Sequence, residues 1–118
     1  MEKELIEIIK EIIENLEKLG GGTEANGFFV CINENNNETV TGIKHWMEVD
    51  FKDEGDDDTY TVTLTELYIF EGHVYFITSD GCDEGFLDQT EENQKAILDS
   101  TKYMLEEIKN DFNNPNLC

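Results

Sequence analysis

The sequence predicts an α+β domain, an antiparallel sheet of about four strands with an N-terminal and a C-terminal helix packed on one face. Three observations carry this. The first residues repeat apolar side chains at helical spacing, the middle alternates at strand spacing, and the end returns to helical spacing. The connections between them are short and polar, sized for hairpins, which gives the order α-β-β-β-β-α. At 118 residues, 38% of them hydrophobic, the chain is expected to form a single domain over 1–118. A chain of that size builds a core without metal or disulfide staples.

The first helix is expected over 3–19. Leu5, Ile9, Ile12, Leu16 and Leu19 form its apolar stripe, widened by Ile6, Ile8 and Ile13, with Glu7, Glu11, Glu14 and Glu17 opposite. Gly20-Gly21-Gly22 stops it, because glycine accepts a left-handed cap without steric cost. Residues 28–33 then read as a short strand, apolar on both faces. Residues 40–52 alternate, with Ile43, Met47, Val49 and Phe51 on one side and Lys44, Trp46, Glu48, Asp50 and Lys52 on the other. His45 shares the apolar parity and reads as a core histidine.

Residues 59–70 begin with Tyr60, Val62 and Leu64 on one parity and end with Leu67 and Ile69 on the other. That phase change predicts a bulge near Thr65-Glu66. Glu71-Gly72 is a hairpin-sized turn into a strand over 73–78, although glutamate is not a favoured first turn residue. A final helix is expected over 91–110, capped by Thr90, with Ile97, Met104, Leu105, Ile108 and Phe112 as its stripe. Asn113-Asn114-Pro115 closes it and leaves residues 113–118 as a loose tail.

Charge dominates the composition: 28 carboxylates face eight lysines, no arginine is present, and the formal charge is −20. The aromatic and β-branched content is too high for a disordered acidic chain. A folded domain with a negative field repels nucleic acid and anionic lipid and attracts cationic surfaces. No apolar run approaches the ~20 residues that span a bilayer. Glu2, Glu4, Glu7 and Glu11 interrupt the first apolar residues where a secretion signal would be basic, then purely apolar. The expectation is a cytoplasmic protein. Cys31, Cys82 and Cys118 have no CxxC spacing, and an odd count argues against a disulfide framework; Cys31 reads as core.

No catalytic or cofactor motif is legible. Residues 80–91 fit a calcium loop at Asp80, Glu84, Gly85, Asp88 and Glu91, with Leu87 in the apolar slot. Cys82 occupies a ligand position, and a strand precedes the loop where a helix is required, so a polar connector is the preferred reading and no metal is assigned. His45, His73 and Cys82 carry no nucleophile motif. The expected partner is instead a positively charged protein, such as a nuclease or a CRISPR effector, bound without direct contact to nucleic acid or membrane.

The candidate residues for that contact are Trp46, Glu48, Asp50, Asp53, Glu54, Asp56, Asp57, Asp58, Glu66 and Glu71. Acids on alternate strand positions lie about 6.6–6.8 Å apart, close to the spacing of phosphates along a nucleic-acid strand. An exposed tryptophan among charges is a residue type that anchors interfaces. Small phage inhibitors of host nucleases and CRISPR complexes share this size and acidity, a likeness of composition that carries no motif and assigns no family. The alternatives are an immunity protein for a cationic toxin and an accessory module that self-associates through the Trp46 face, as a homodimer.

Overall fold

A computed structural model describes residues 1–18, 29–35 and 38–113, with backbone alone for 16–18, 29–35, 38–41, 45 and 111–113. Helix α1 spans Glu2–Lys18. It buries Leu5, Ile8, Ile9, Ile12 and Ile13, the stripe that its periodicity predicts. Five strands follow: β1 (Phe29–Asn35), β2 (Glu38–Lys52), β3 (Thr59–Phe70), β4 (His73–Thr78) and β5 (Asp83–Gly85). Every neighbouring pair is antiparallel and the strand order is the chain order, so the sheet is a simple meander. A single 3₁₀ turn, Phe86–Asp88, leads to α2, Glu91–Asn113. The order α-β-β-β-β-α is as expected, with one short strand added before the last helix.

The irregular centre of the sheet explains the change of parity in β3. Against β2, Lys44 pairs with Glu66 and Met47 with Leu64, so His45 and Trp46 together oppose Thr65. Against β4, Leu64 pairs with Thr78 and Glu66 with Ile77, so Thr65 is the additional residue. Each bulge moves one partner by one residue. β2 therefore keeps Ile43, Met47, Val49 and Phe51 on the core side, and β4 keeps Val74 and Phe76 there. Only β3, caught between them, switches from Leu64 to Leu67.

The Glu71-Gly72 turn has positive φ at both residues, 51° and 81°. That is the backbone of a type I′ hairpin, whose twist matches the strands it joins. Gly42 is required for a different reason. A Cβ there would lie 2.4 Å from the Leu67 carbonyl oxygen and 2.8 Å from the Tyr68 Cα, both backbone atoms, so β2 and β3 approach too closely for any side chain.

Strand β5 escaped the sequence reading because Asp83-Glu84-Gly85 has neither apolar alternation nor β propensity. The preceding turn builds it. Gly81 has φ of 87°, the Gly81 N–H donates to the Thr78 carbonyl, and the Thr78 N–H donates to the Cys82 carbonyl. Phe86 then enters the core completely, whereas Leu87, the apolar slot of the calcium-loop pattern, is exposed.

Side chains on the helices finish the strand edges. The Glu2 carboxylate accepts the Val74 N–H at 3.1 Å, and its other oxygen lies 3.1 Å from Nδ1 of His73. The Asn93 Oδ1 accepts the Lys52 N–H at 2.8 Å. Thr90 caps α2 as expected, its hydroxyl accepting the Asn93 N–H at 3.2 Å. The ion pairs Glu4–Lys102 and Glu11–Lys109, each at 2.9 Å, advance by the same two turns on both helices, so α1 and α2 run parallel. Both helices contribute to one core with β2, β3, β4 and Phe86.

The expected glycine stop at 20–22, with Leu19, Phe28 and residues 114–118, lies outside the described residues. So do the side chains of Leu16, Cys31, His45 and Phe112. Among the described residues, no helix is long and apolar enough to cross a membrane.

Candidate interaction surface

Trp46 lies in the β2 bulge, on the outward parity of the strand. It is the most exposed large hydrophobic residue among those described, 73% accessible. Glu48 and Asp50 follow at alternate positions on the solvent side of β2, both exposed. Asp50 accepts a hydrogen bond from the Thr61 hydroxyl across the strand pair at 3.1 Å. Beyond Lys52, the exposed β2–β3 tip carries Asp53, Glu54, Asp56, Asp57 and Asp58, turned by Gly55 at φ 83° and by the Asp56 N–H on the Asp53 carbonyl. Asp53 accepts the Tyr60 hydroxyl at 3.0 Å. This hydrogen bond, with some burial and the Asp53 charge, raises the Tyr60 pKa. Eight of the ten expected contact residues thus lie in order from Trp46 along β2 to the tip, with Lys52 between Asp50 and Asp53.

Two lie outside that order. Glu66 is half-buried and sits opposite Lys44 in the β2–β3 register. Glu71 occupies the β3–β4 turn, at the other end of the sheet from the tip. Tyr68 and Tyr75 form a pair of their own. They stack on each other at 5.5 Å on the face away from the helices, and the Tyr68 hydroxyl donates to Asp83 at 2.5 Å. Burial first, and then this hydrogen bond, push the Tyr68 phenol well above its ordinary range.

Helix α2 supplies acids that the sequence reading did not assign to the site. A groove of about 410 Å³ runs between β2 and α2, walled by Trp46, Glu48, Asp99, Tyr103, Met104 and Glu107 among others. Asp99, Tyr103 and Glu107 recur every fourth residue on one side of the helix. Tyr103 is 64% exposed, and its hydrogen bond to Glu107 raises the phenol pKa, helped by the Glu107 charge. The spacing was readable in advance. What placed that side of α2 beside Trp46 was the packing of α2 on β2, which the pattern of one helix does not contain.

A second groove, about 550 Å³, lies between the tip and the start of α2. Asp53, Glu54, Asp56, Asp57, Glu91 and Glu92 line it, and Lys52 reaches Glu92 at 4.0 Å. The calcium-loop residues take other roles. One Asp80 oxygen accepts both the Thr78 hydroxyl and the Cys82 N–H. These bonds, the Thr78 contribution largest, lower its pKa, while the same carboxylate raises that of the exposed Cys82 thiol. Among the described residues, no group of three or more His, Cys, Asp or Glu side chains converges as a metal ion requires.

The geometry defines an acidic α+β meander with an exposed ring at the head of a carboxylate row. Compared with protein-family models, with curated proteins and with solved structures, the chain matches none.

Proposed function

We propose that this protein binds a positively charged surface of a nucleic-acid-handling protein in place of nucleic acid. The partner would be a nuclease or a CRISPR effector, met in the cytoplasm, and the activity that of an inhibitor or decoy of the phage anti-defence type. The reading assigns no catalytic step and no cofactor. One observation carries it: Trp46, Glu48, Asp50 and the 53–58 tip form an exposed row on a chain of net charge −20. Successive outward residues on β2 repeat at about 6.6–6.8 Å, a spacing at which carboxylates meet cations arranged for a phosphate backbone. The field speeds encounter, and the desolvated aromatic ring slows release.

An immunity protein for a cationic toxin uses the same physics and differs only in the partner. Self-association through the Trp46 face is disfavoured by Glu48, Asp99 and Glu107 around that ring, because a two-fold interface would set like charges against each other.

Affinity capture tests the reading. Protein immobilised through its C-terminus retains a basic partner from host lysate, and duplex DNA or RNA displaces it. The variant Glu54→Gln/Asp56→Asn/Asp57→Asn/Asp58→Asn retains less and shows a shallower salt dependence. A partner that nucleic acid fails to displace sinks the mimicry. Unchanged retention by the variant removes the tip from the interface.

A further inference from the structure

We infer that the groove between β2 and α2 receives the guanidinium group of an arginine on the partner, seated against Trp46 and Tyr103 and flanked by Glu48, Asp99 and Glu107. This rests on the reading of a basic partner and names the group that its central pocket selects.

The chemistry follows from what surrounds the groove. Its two exposed rings present π faces and edges to solvent, and its three charged side chains are all anionic. No lysine lines it among the described residues. Two of the three lysines of α2 turn toward α1, where Lys102 meets Glu4 and Lys109 meets Glu11. The third, Lys95, lies one turn before Asp99 and does not line the groove. From Asp99 to Lys109 the helix thereby presents its cations to the neighbour helix, and Asp99, Tyr103 and Glu107 to β2. A planar cation that both stacks on a ring and donates to several carboxylates fits such a groove. Arginine does so with five donors and a weakly hydrated face, whereas the lysine ammonium is a strongly hydrated point charge. A second copy of this chain is a poor occupant, since it carries no arginine and would bring its own three acids to the same place.

The test uses the full chain and two probes, hexa-arginine and hexa-lysine, titrated by isothermal calorimetry and by amide and indole NMR at low salt. Both peptides bind in a salt-dependent manner. Hexa-arginine binds about two- to fivefold more tightly, the factor an exposed cation–π contact supplies. Its largest shifts fall on the Trp46 indole N–H and on residues around Tyr103. In Trp46→Leu the preference for arginine disappears while salt-dependent binding of both peptides persists. Tyr103→Leu weakens the preference, and unchanged thermal unfolding of each variant shows that it is folded.

Equal affinity for the two peptides in the native chain overturns the inference and leaves the reading of a basic partner standing. So does a preference that survives Trp46→Leu, or shifts that map to the 53–58 tip and bypass the groove. Failure of both peptides to bind overturns the inference and that reading together.

Discussion

Trp46 is the sole tryptophan of the chain, so its fluorescence reports the field at the candidate surface without background. Glu48, Asp99 and Glu107 share its groove. At roughly 7 Å, the spacing of alternate residues on a strand face, one carboxylate in water contributes about 0.6 kcal/mol to a unit cation. Screening at 0.1 M salt halves that to about 0.3 kcal/mol, and three together give about 1 kcal/mol. A cation is then enriched near the ring by about fivefold and an anion depleted by about as much, a ratio on the order of twenty. Caesium and iodide quenching, each normalised to N-acetyltryptophanamide, measures this ratio directly, with neutral acrylamide reporting simple access. At 1 M salt, where the screening length is about 3 Å, the ratio falls below about twofold. The triple variant Glu48→Gln/Asp99→Asn/Glu107→Gln removes most of the asymmetry at 0.1 M. Neutralising Asp56, Asp57 and Asp58 removes less, because those charges sit beyond the far end of β2. Equal quenching by the two ions in the native chain would refute an organised anionic surface at Trp46.

Two further perturbations test the scaffold. Glu71 holds a left-handed backbone, φ 51°, that a side chain with a Cβ adopts at a cost of roughly 1 kcal/mol. Glu71→Asn, the preferred residue of such turns, is expected to stabilise by about 0.5–1 kcal/mol and raise Tm by about 2–4 °C, read by calorimetry; a fall in Tm would contradict the turn assignment. The Tyr68 phenol has its pKa raised by burial and by Asp83. Its contribution to stability is therefore present below the ordinary tyrosine pKa of about 10 and is lost as pH rises through the folded value. Tyr68→Phe should flatten the alkaline fall in stability, measured by urea unfolding at increasing pH, and an identical slope in both proteins would show that Asp83 does not hold this phenol.

Most of the fold was legible because its elements carry their own periodicity. The limits of β3 and β4 follow from alternation alone, and the Thr65 bulge from a parity change that no straight strand can make. Where the reading fell short, the determinant was not local. Asp83-Glu84-Gly85 forms a strand only because the Asp80 turn delivers it to the edge of β4. Asp99, Tyr103 and Glu107 look like any solvated helix side until α2 is laid against β2.

The same distinction divides the candidate site. Trp46, Glu48 and Asp50 lie on one strand, and the tip continues that strand, so their alignment is a property of contiguous sequence. Glu71 was grouped with them by charge alone, and the meander sets it at the far end of the sheet, whereas Glu66 lies across the strand pair, next to the Thr65 that opposes Trp46. Charge patterning along a strand therefore predicts a surface, whereas charge counted over a chain does not. The groove adds what neither supplies. Opposite sides of α2 carry opposite roles, with Lys102 and Lys109 holding α1 by ion pairs while Asp99 and Glu107 are left to face Trp46. Those ion pairs are exposed and individually worth little, but they mark the side of α2 that faces away from the groove, whose charged lining is Glu48, Asp99 and Glu107. From Asp99 to Lys109 the two sides of one helix differ in charge, and the acidic side is the one that shares a groove with the chain's one tryptophan.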